Sequence, residues 1–326
     1  MRWMQHRIVS ARAALRNLAA RRAPAGGGLL RPARLVLRLD SAGLEPAADP
    51  GPAPSLAALQ RRVAEAVRWL GPIPVTVLAH GRGADPDTVE IIRFAHRLDC
   101  PTCLETNGDG IDRAAALALV DAGLRAAVLR MGGVDADTHA AVTGGDLDAA
   151  RLAARALVAA RRDRAVALDL EVAIPWRGPV ASQAGAVADW ARQAGADGVR
   201  VEAPYRAQDV GDASEGGALD ALQALPGPFG RTPAATVEEL RRMATAADGE
   251  PGLPRARAGH RRLTRCPIGG QRLEIGVEGQ LLCCPFHPPI PLGSAELSEA
   301  WRGADPHLEA IRACGRACAH VEQEPQ

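Results

Sequence analysis

Short runs of aliphatic and β-branched residues alternate with longer stretches of helical periodicity between residues 34 and 203. The runs end in Gly, Pro or Asn, as strands that lead into turns do. The pattern predicts six strands, at 34–39, 74–79, 102–106, 126–131, 165–174 and 198–203. Strands that alternate with helices favour parallel pairing with crossover helices. The chain is therefore predicted to be α/β, with either an open sheet or an incomplete (β/α) barrel.

The stretches between the strands carry apolar residues three and four positions apart. In 55–70, Leu59 and Val63 lie on one apolar face, and Ser55 is the expected N-cap. The same periodicity predicts further helices at 87–98, 112–122, 147–162 and 183–194, with another at 236–247. In both architectures the ligand site lies at the carboxyl ends of the strands.

Polar residues at these strand ends are the candidate ligand contacts. His80 and Arg82 follow the second strand, and Arg130 ends the fourth. An imidazole and a guanidinium suit a carboxylate or phosphate ligand, but they also form local salt bridges. Asp40 and Glu45 follow the first strand and would neutralise the positive charge.

Composition and charge narrow the function classes. The chain has 326 residues, 47% of them hydrophobic and 24% charged, as folded proteins do. The net charge is +1, but residues 1–38 hold nine Arg and no acidic residue, which leaves −8 for the rest. Because the basic charge is confined to the N-terminus, we expect no nucleic-acid partner.

The N-terminal 30 residues form a predicted basic helix. Apolar residues recur at helical spacing in 3–20 with Arg between them, so the helix either covers one end of the domain or lies on a membrane surface. No run of 18 apolar residues occurs, and no secretory signal is visible. We therefore expect no membrane span and a cytoplasmic protein, in which clustered cysteines hold metal rather than disulfides.

Two segments carry motifs that a known family shares. Residues 105–144 contain Thr106-Asn107-Gly108 and, further on, a Gly-Gly turn and His139 before a Thr-Gly. The segment after residue 265 has Cys266, twelve residues, Gly279, four residues and Cys284. The first segment resembles the radical S-adenosylmethionine (radical SAM) family, and the second resembles that family's SPASM or twitch extension. The resemblance spans 34–326.

The resemblance implies a domain order and a ligand contact. It implies a partial (β/α)6 barrel over 31–232, a helix and linker over 233–262, and a small SPASM/twitch-like domain over 263–326. It also places Asn107 beside His80, Arg82 and Arg130 at the barrel mouth.

The chain departs from the family at the cofactor site. Active members carry Cys-x3-Cys-x2-Cys after the first strand, where residues 40–46 read DSAGLEP. A Gly-Gly-Glu-Pro after the second strand is replaced by 79–82 (AHGR), and a Ser after the fourth strand by Arg130. Because iron–sulfur clusters are held by thiolates, oxygen ligands do not replace the missing cysteines. We expect no reductive cleavage of S-adenosylmethionine.

The C-terminal cysteines are the predicted metal ligands. Cys266, Cys284, Cys314 and Cys318 make a set of four, with Cys283 as the alternate to its neighbour and His287 as an extra candidate. Four thiolates suit one iron–sulfur cluster, here expected to be 4Fe–4S, or a tetrahedral zinc. The fuller SPASM pattern is truncated, since Asp305 and Leu308 stand where two more cysteines would fall. Cys100 and Cys103 form a C-x-x-C that we interpret as structural.

The leading hypothesis is a radical SAM-like pseudoenzyme. It would be an accessory or substrate-binding subunit in peptide or cofactor maturation, paired with an active homologue or binding a peptide or small molecule. One alternative is an enzyme of altered chemistry at the barrel mouth. The other is a zinc-stabilised interaction protein.

Overall fold

The computed structural model describes residues 32–40, 55–175, 178–202, 263–265, 272–282, 289–303 and 322–323. Several predicted features lie outside these residues: the N-terminal helix, the helix at 236–247, Glu45, His287 and the C-terminal cysteines 266, 283, 284, 314 and 318. Within the part of the chain that is described, no helix is long and apolar enough to cross a membrane.

All six predicted strands form. They are β1 (Arg34–Arg38), β2 (Val75–Leu78), β3 (Thr102–Thr106), β4 (Ala126–Arg130), β5 (Asp169–Pro175) and β6 (Gly198–Glu202). The helices between them are α1 (Leu56–Leu70), α2 (Pro86–Arg97), α3 (Arg113–Asp121), α4 (Ala136–Thr143), α5 (Leu147–Asp163) and α6 (Ala184–Ala194), and a 3-10 turn spans Gly178–Gln183. The alternation predicted from the sequence is confirmed.

Five shorter elements follow. They are β7 (Leu263–Arg265), β8 (Arg272–Ile275), β9 (Leu281–Leu282), α7 (Leu297–Gly303) and β10 (Glu322–Gln323). None of them was predicted from the sequence, because strands of two to four residues and a helix of seven are too short to show periodicity.

The chain divides into two compact units, and the first holds the described residues of 32–105, 118–125 and 272–303. In it β1 pairs in parallel with both β2 and β8, β2 pairs in parallel with β3, and β9 runs antiparallel to β8. The fully buried Leu35 and Leu37 of β1 and Ile91 and Ile92 of α2 form part of its core. A strand from the C-terminal part of the sequence thus extends the sheet beside β1.

The second unit holds the described residues of 106–117, 126–202, 263–265 and 322–323. Here β4 pairs in parallel with β5 and β5 with β6, while β10 is antiparallel to β7. The buried face of α5 consists mainly of alanines, including Ala150, Ala153 and Ala154. Small side chains allow this helix to pack closely on its neighbours.

Local sequence explains where the helices begin. The hydroxyl of Ser55 accepts a hydrogen bond from the amide of Ala58, as the predicted N-cap requires. The sequence analysis missed α4, which begins at Asp135 with the carboxylate accepting from the amide of Thr138 at 2.8 Å. Its eight residues have almost no amphipathic pattern, so only the cap marked it.

Candidate functional site

Three polar side chains meet at the carboxyl ends of β1, β2 and β3. Nδ1 of His80 lies 3.3 Å from Oδ1 of Asp40, and its Nε2 lies 3.9 Å from Oε1 of Glu105. The imidazole is 4% exposed, and the two carboxylates are 15% and 17% exposed. We call Asp40, His80 and Glu105 the strand-end triad. It lies entirely within the first unit.

The local environment keeps Asp40 ionised. Burial alone would raise its pKa, but the hydrogen bond and charge of His80 and the amide of Gly81 together hold that pKa below the ordinary value. The amide of Gly81 donates to Oδ2 at 3.3 Å. Because an ionised carboxylate only accepts, Nδ1 of His80 carries the proton in this pair.

Arg82 closes the loop that follows β2. Its Nε donates to Asp85 at 2.5 Å and its Nη1 to the carbonyl of Leu39 at 3.2 Å, while Asp87 lies 3.9 Å from Nη2. The structure therefore places a carboxylate against Arg82, as it does against His80. Local salt bridges, the alternative left open by the sequence, account for these contacts.

Arg130 belongs to the second unit, where it joins a ladder of ion pairs. Its Nη2 lies 3.3 Å from Glu202, which also accepts from Arg200 at 2.7 Å; Arg200 in turn lies 3.5 Å from Glu171. In register, Ala173 of β5 lies between Arg130 and Arg200. The small side chain of Ala173 leaves room for this charge ladder to cross β5.

Asn107, also in the second unit, braces the turn after β3. Its amide donates to Asp109 at 2.8 Å, and its carbonyl accepts from the amide of Asp109. Gly145 approaches it so closely that an added Cβ would lie 2.7 Å from Nδ2 of Asn107. The next residue, Gly108, has a φ of +97°, and a Cβ there would lie 2.8 Å from the backbone of Ala150. The Thr-Asn-Gly turn thus packs directly on α5.

His139 is fully buried behind the Gly-Gly turn that follows β4. Its Nδ1 accepts a hydrogen bond from the amide of Gly132 at 3.3 Å. Burial, opposed by the charges of Asp109 and Asp146, lowers its pKa, so the neutral ring is favoured. His139 therefore holds the turn in place as a neutral acceptor.

The strand-end triad does not fit the iron–sulfur cluster of the radical SAM family. It offers carboxylates and one imidazole, whereas such a cluster needs three thiolates. Residues 41–46, which continue from Asp40, contain no cysteine either. No group of three His, Cys, Asp or Glu residues in the described ranges is arranged to hold a metal ion.

The described cysteines are Cys100 and Cys103, and neither forms a disulfide within the described residues. Cys100 is buried, and burial raises the pKa of its thiol, which keeps it protonated and unreactive. This environment is consistent with the structural role expected for it.

Gly279, which lies between Cys266 and Cys284 in the sequence, has a defined place in the structure. It has a φ of +75° and closes the tight turn between β8 and β9, where the amide of Gly276 donates to the carbonyl of Gln280 at 2.8 Å. The turn sets Leu282 opposite Glu274. A glycine at this place in the Cys-x12-Gly-x4-Cys pattern therefore has a conformational reason.

Several charged residues of the first unit were not predicted from the sequence. Glu105 of the strand-end triad is partly buried, and Arg38 and Glu274 form a buried ion pair between β1 and β8. On α1, Arg62 and Glu65 are buried as well. A single sequence does not show which charged residues are buried, and the one signal for Glu105 is its place within a strand that ends at the Thr-Asn-Gly turn.

No protein-family model matches the chain. A search of curated proteins also finds no match.

Solved structures do match. The chain is similar to Streptococcus suis SuiB bound to S-adenosylmethionine, with 15% identity over 87% of this chain and 66% of SuiB, at a TM-score of 0.61. SuiB bound to the precursor peptide SuiA has 15% identity over 87% of this chain and 67% of SuiB, at a TM-score of 0.62. Native anSMEcpe with bound AdoMet and the Cp18Cys peptide has 12% identity over 86% of this chain and 82% of anSMEcpe, at a TM-score of 0.54. The chain spans about two thirds of the length of SuiB.

These similarities confirm the α/β architecture with parallel strands and crossover helices that the alternation of strands and helices predicted. The chain therefore has the fold of the radical SAM enzymes.

Proposed function

We propose that this protein is a radical SAM-like pseudoenzyme that serves as an accessory or substrate-binding subunit in peptide or cofactor maturation. The observation that carries the proposal is the strand-end triad. Asp40, His80 and Glu105 lie at the strand ends where this fold class binds its ligands, and they bring oxygen and imidazole groups instead of thiolates.

The charge at these strand ends supports the loss of the cluster site. Asp40, Glu105 and Asp85 bring carboxylates to His80 and Arg82, and the pKa of Asp40 is held low. Iron–sulfur clusters take thiolate ligands, and hard carboxylates at this density suit them poorly. On this proposal the protein does not cleave S-adenosylmethionine.

A peptide is the proposed substrate or guest. SuiB is similar in fold and has been solved with the precursor peptide SuiA, and anSMEcpe with the Cp18Cys peptide. A protein of this fold without the cofactor site can still function by binding such a peptide and presenting it to an active homologue. The homologue is then the proposed heteromeric partner, and the ion-pair ladder at Arg130 and the brace at Asn107 are proposed contacts for the guest.

One auxiliary iron–sulfur cluster is the proposed cofactor. Its ligands are Cys266, Cys284, Cys314 and Cys318, with Cys283 as the alternate. The turn at Gly279 supports this part of the proposal, because it fits the spacing between the first two cysteines. Zinc at the same thiolates is the competing cofactor.

Metal analysis of anaerobically purified protein tests the cofactor. We expect iron and sulfide in near-stoichiometric amounts in the wild type. Cys284→Ser should lose both, and Cys283→Ser should keep both. Cys103→Ser is the matched control outside the C-terminal set. Colourless protein with one equivalent of zinc would overturn the cluster.

Affinity purification of the tagged full chain from its native host tests the accessory role. We expect a radical SAM homologue or a short precursor peptide to copurify in stoichiometric amount, and the homologue's peptide modification to need this protein. An isolated homologue that modifies the peptide at the same rate without it would contradict the proposal.

A further inference from the structure

Arg62 is a buried arginine on α1 that binds the backbone of the C-terminal part of the chain. Its Nη1 donates to the carbonyl of Ala295 at 2.8 Å, and its Nη2 to the carbonyl of Gly293 at 3.0 Å. Nη1 also donates to Glu65 at 2.8 Å, which balances its charge. Arg62 is 5% exposed and its bond to Glu65 is buried, whereas its bonds to the two carbonyls are partly buried.

The two carbonyls lie in the turn between β9 and α7, outside the strand ladder and outside the helix. Among the described residues, neither carbonyl has a partner within a strand ladder or helix, and Arg62 supplies one donor to each. Only a planar guanidinium presents two parallel donors in this way, because an ammonium is a point charge.

Other contacts between protein groups hold the same stretch of chain. β8 pairs in parallel with β1, and Glu274 of β8 forms the buried ion pair with Arg38. Trp301 of α7 is 2% exposed, and its ring centroid lies 6.4 Å from that of Trp69 on α1. We call residues 272–282 and 289–303 together the C-terminal segment.

Arg68 offers a natural comparison on the same helix. It reaches Glu296 of the C-terminal segment at 3.1 Å, but the two side chains are 64% and 60% exposed. Exposed pairs of this kind contribute little, because water and salt screen them. Two arginines of α1 thus contact the same turn, one in the interior and one at the surface.

We propose that Arg62 is a latch that holds the C-terminal segment against α1 and that the latch stays closed without any metal. The segment carries the chain between Cys266 and the later cysteines, so the hairpin at Gly279 is in place before metal binds. This order of events rests on the proposed auxiliary site. It means that the metal binds to that site after the segment has folded.

Hydrogen exchange of the full-length protein tests the latch. The amides of Leu281, Ile290 and Ala300, which bond within the C-terminal segment, report its opening, and those of β5 report the fold of the rest. We expect Arg62→Met to raise exchange in the segment by about tenfold or more while β5 stays protected. Exchange in the segment of Arg62→Lys should lie between that of the wild type and that of Arg62→Met, because lysine keeps the charge but not the paired donors. Exchange in Arg68→Met should match that of the wild type.

A metal-free arm tests independence from metal. We expect wild-type protein stripped by a chelator under reducing conditions to exchange in the segment within about twofold of the untreated protein. Opening of the segment on metal removal, to the extent seen with Arg62→Met, would overturn the proposal. So would an Arg62→Met or Arg62→Lys protein with exchange like that of Arg68→Met.

The two proposals fail separately. Protein that is purified without metal but keeps a protected segment contradicts the auxiliary site and supports the latch. Protein that holds a cluster and opens on its removal supports the auxiliary site and contradicts the latch. If Arg62→Met does not fold, Arg62→Lys carries the comparison with Arg68→Met.

Discussion

Nδ1 of His80 lies 3.3 Å from Oδ1 of Asp40, so an imidazole–carboxylate pair ties the end of β2 to the end of β1. The same ring turns its Nε2 toward Glu105 at the end of β3, 3.9 Å away. Three neighbouring strand ends are thus joined by side chains of the chain itself. The account of this protein as a scaffold without the family's cofactor site depends on this arrangement.

Asp40→Asn should destabilise the protein in a pH-dependent way. The folded-state pKa of Asp40 lies below its ordinary value, so its contribution is present above about pH 4 and is lost as the pH falls through the folded pKa. At pH 7 we expect a loss of about 1–3 kcal/mol in the free energy of unfolding, typical of a hydrogen bond to a charged group. Denaturant titrations of both proteins from pH 7 to pH 3 measure it, and a difference that stays constant over this range would refute the charged pair.

His139 should make the free energy of unfolding depend on pH at higher pH than Asp40 does. Burial lowers its pKa in the folded state below 6.5, so the unfolded chain binds the proton more readily. Stability should therefore fall as the pH drops below about 6.5. His139→Gln, whose side-chain oxygen can still accept from Gly132, should flatten the curve between pH 7 and pH 5. An unaltered slope in His139→Gln would contradict the buried neutral ring.

Arg38 and Glu274 should be strongly coupled. Each buried charge depends on the other, so Arg38→Met or Glu274→Leu alone should cost about 3–5 kcal/mol of stability. Arg38→Met combined with Glu274→Leu should cost much less than the sum, because no buried charge is then left unpaired. A double-mutant cycle by chemical denaturation measures the coupling, and additive losses would argue against the β1–β8 pair.

Gly108→Ala should be more damaging than Gly144→Ala. Both glycines have a positive φ, but a Cβ at Gly108 meets the backbone of Ala150 at 2.8 Å, whereas at Gly144 nothing lies within 4 Å. Gly144→Ala should therefore cost only the strain of the left-handed conformation, about 1–2 kcal/mol. Gly108→Ala should cost that and a backbone displacement, about 2 kcal/mol or more beyond it. Equal losses in thermal unfolding would show that the turn does not pack on α5.

Much of the fold was readable from the sequence because periodicity and caps act locally. Ser55 marks the start of α1, and the runs at Val75 and Thr102 have the composition of strands. The pairing of β8 with β1 was not readable, since the two strands lie more than 230 residues apart and β8 has only four residues.

The candidate site was predicted only in part. His80 and Arg82 were expected at the end of the second strand, and they lie there, yet their carboxylate partners are set by the tertiary structure. Arg62 and Glu274 were hidden because a single sequence gives charged residues no mark of burial. Partners more than 200 residues away satisfy both of them.

The most direct test of the central claim is a cleavage assay with S-adenosylmethionine. Full-length protein is reconstituted anaerobically with iron and sulfide, reduced with dithionite and incubated with S-adenosylmethionine, and 5′-deoxyadenosine is measured by mass spectrometry. Because thiolates are missing after β1, we predict no product above that of a sample without protein. Formation of several equivalents of 5′-deoxyadenosine per protein would contradict the account.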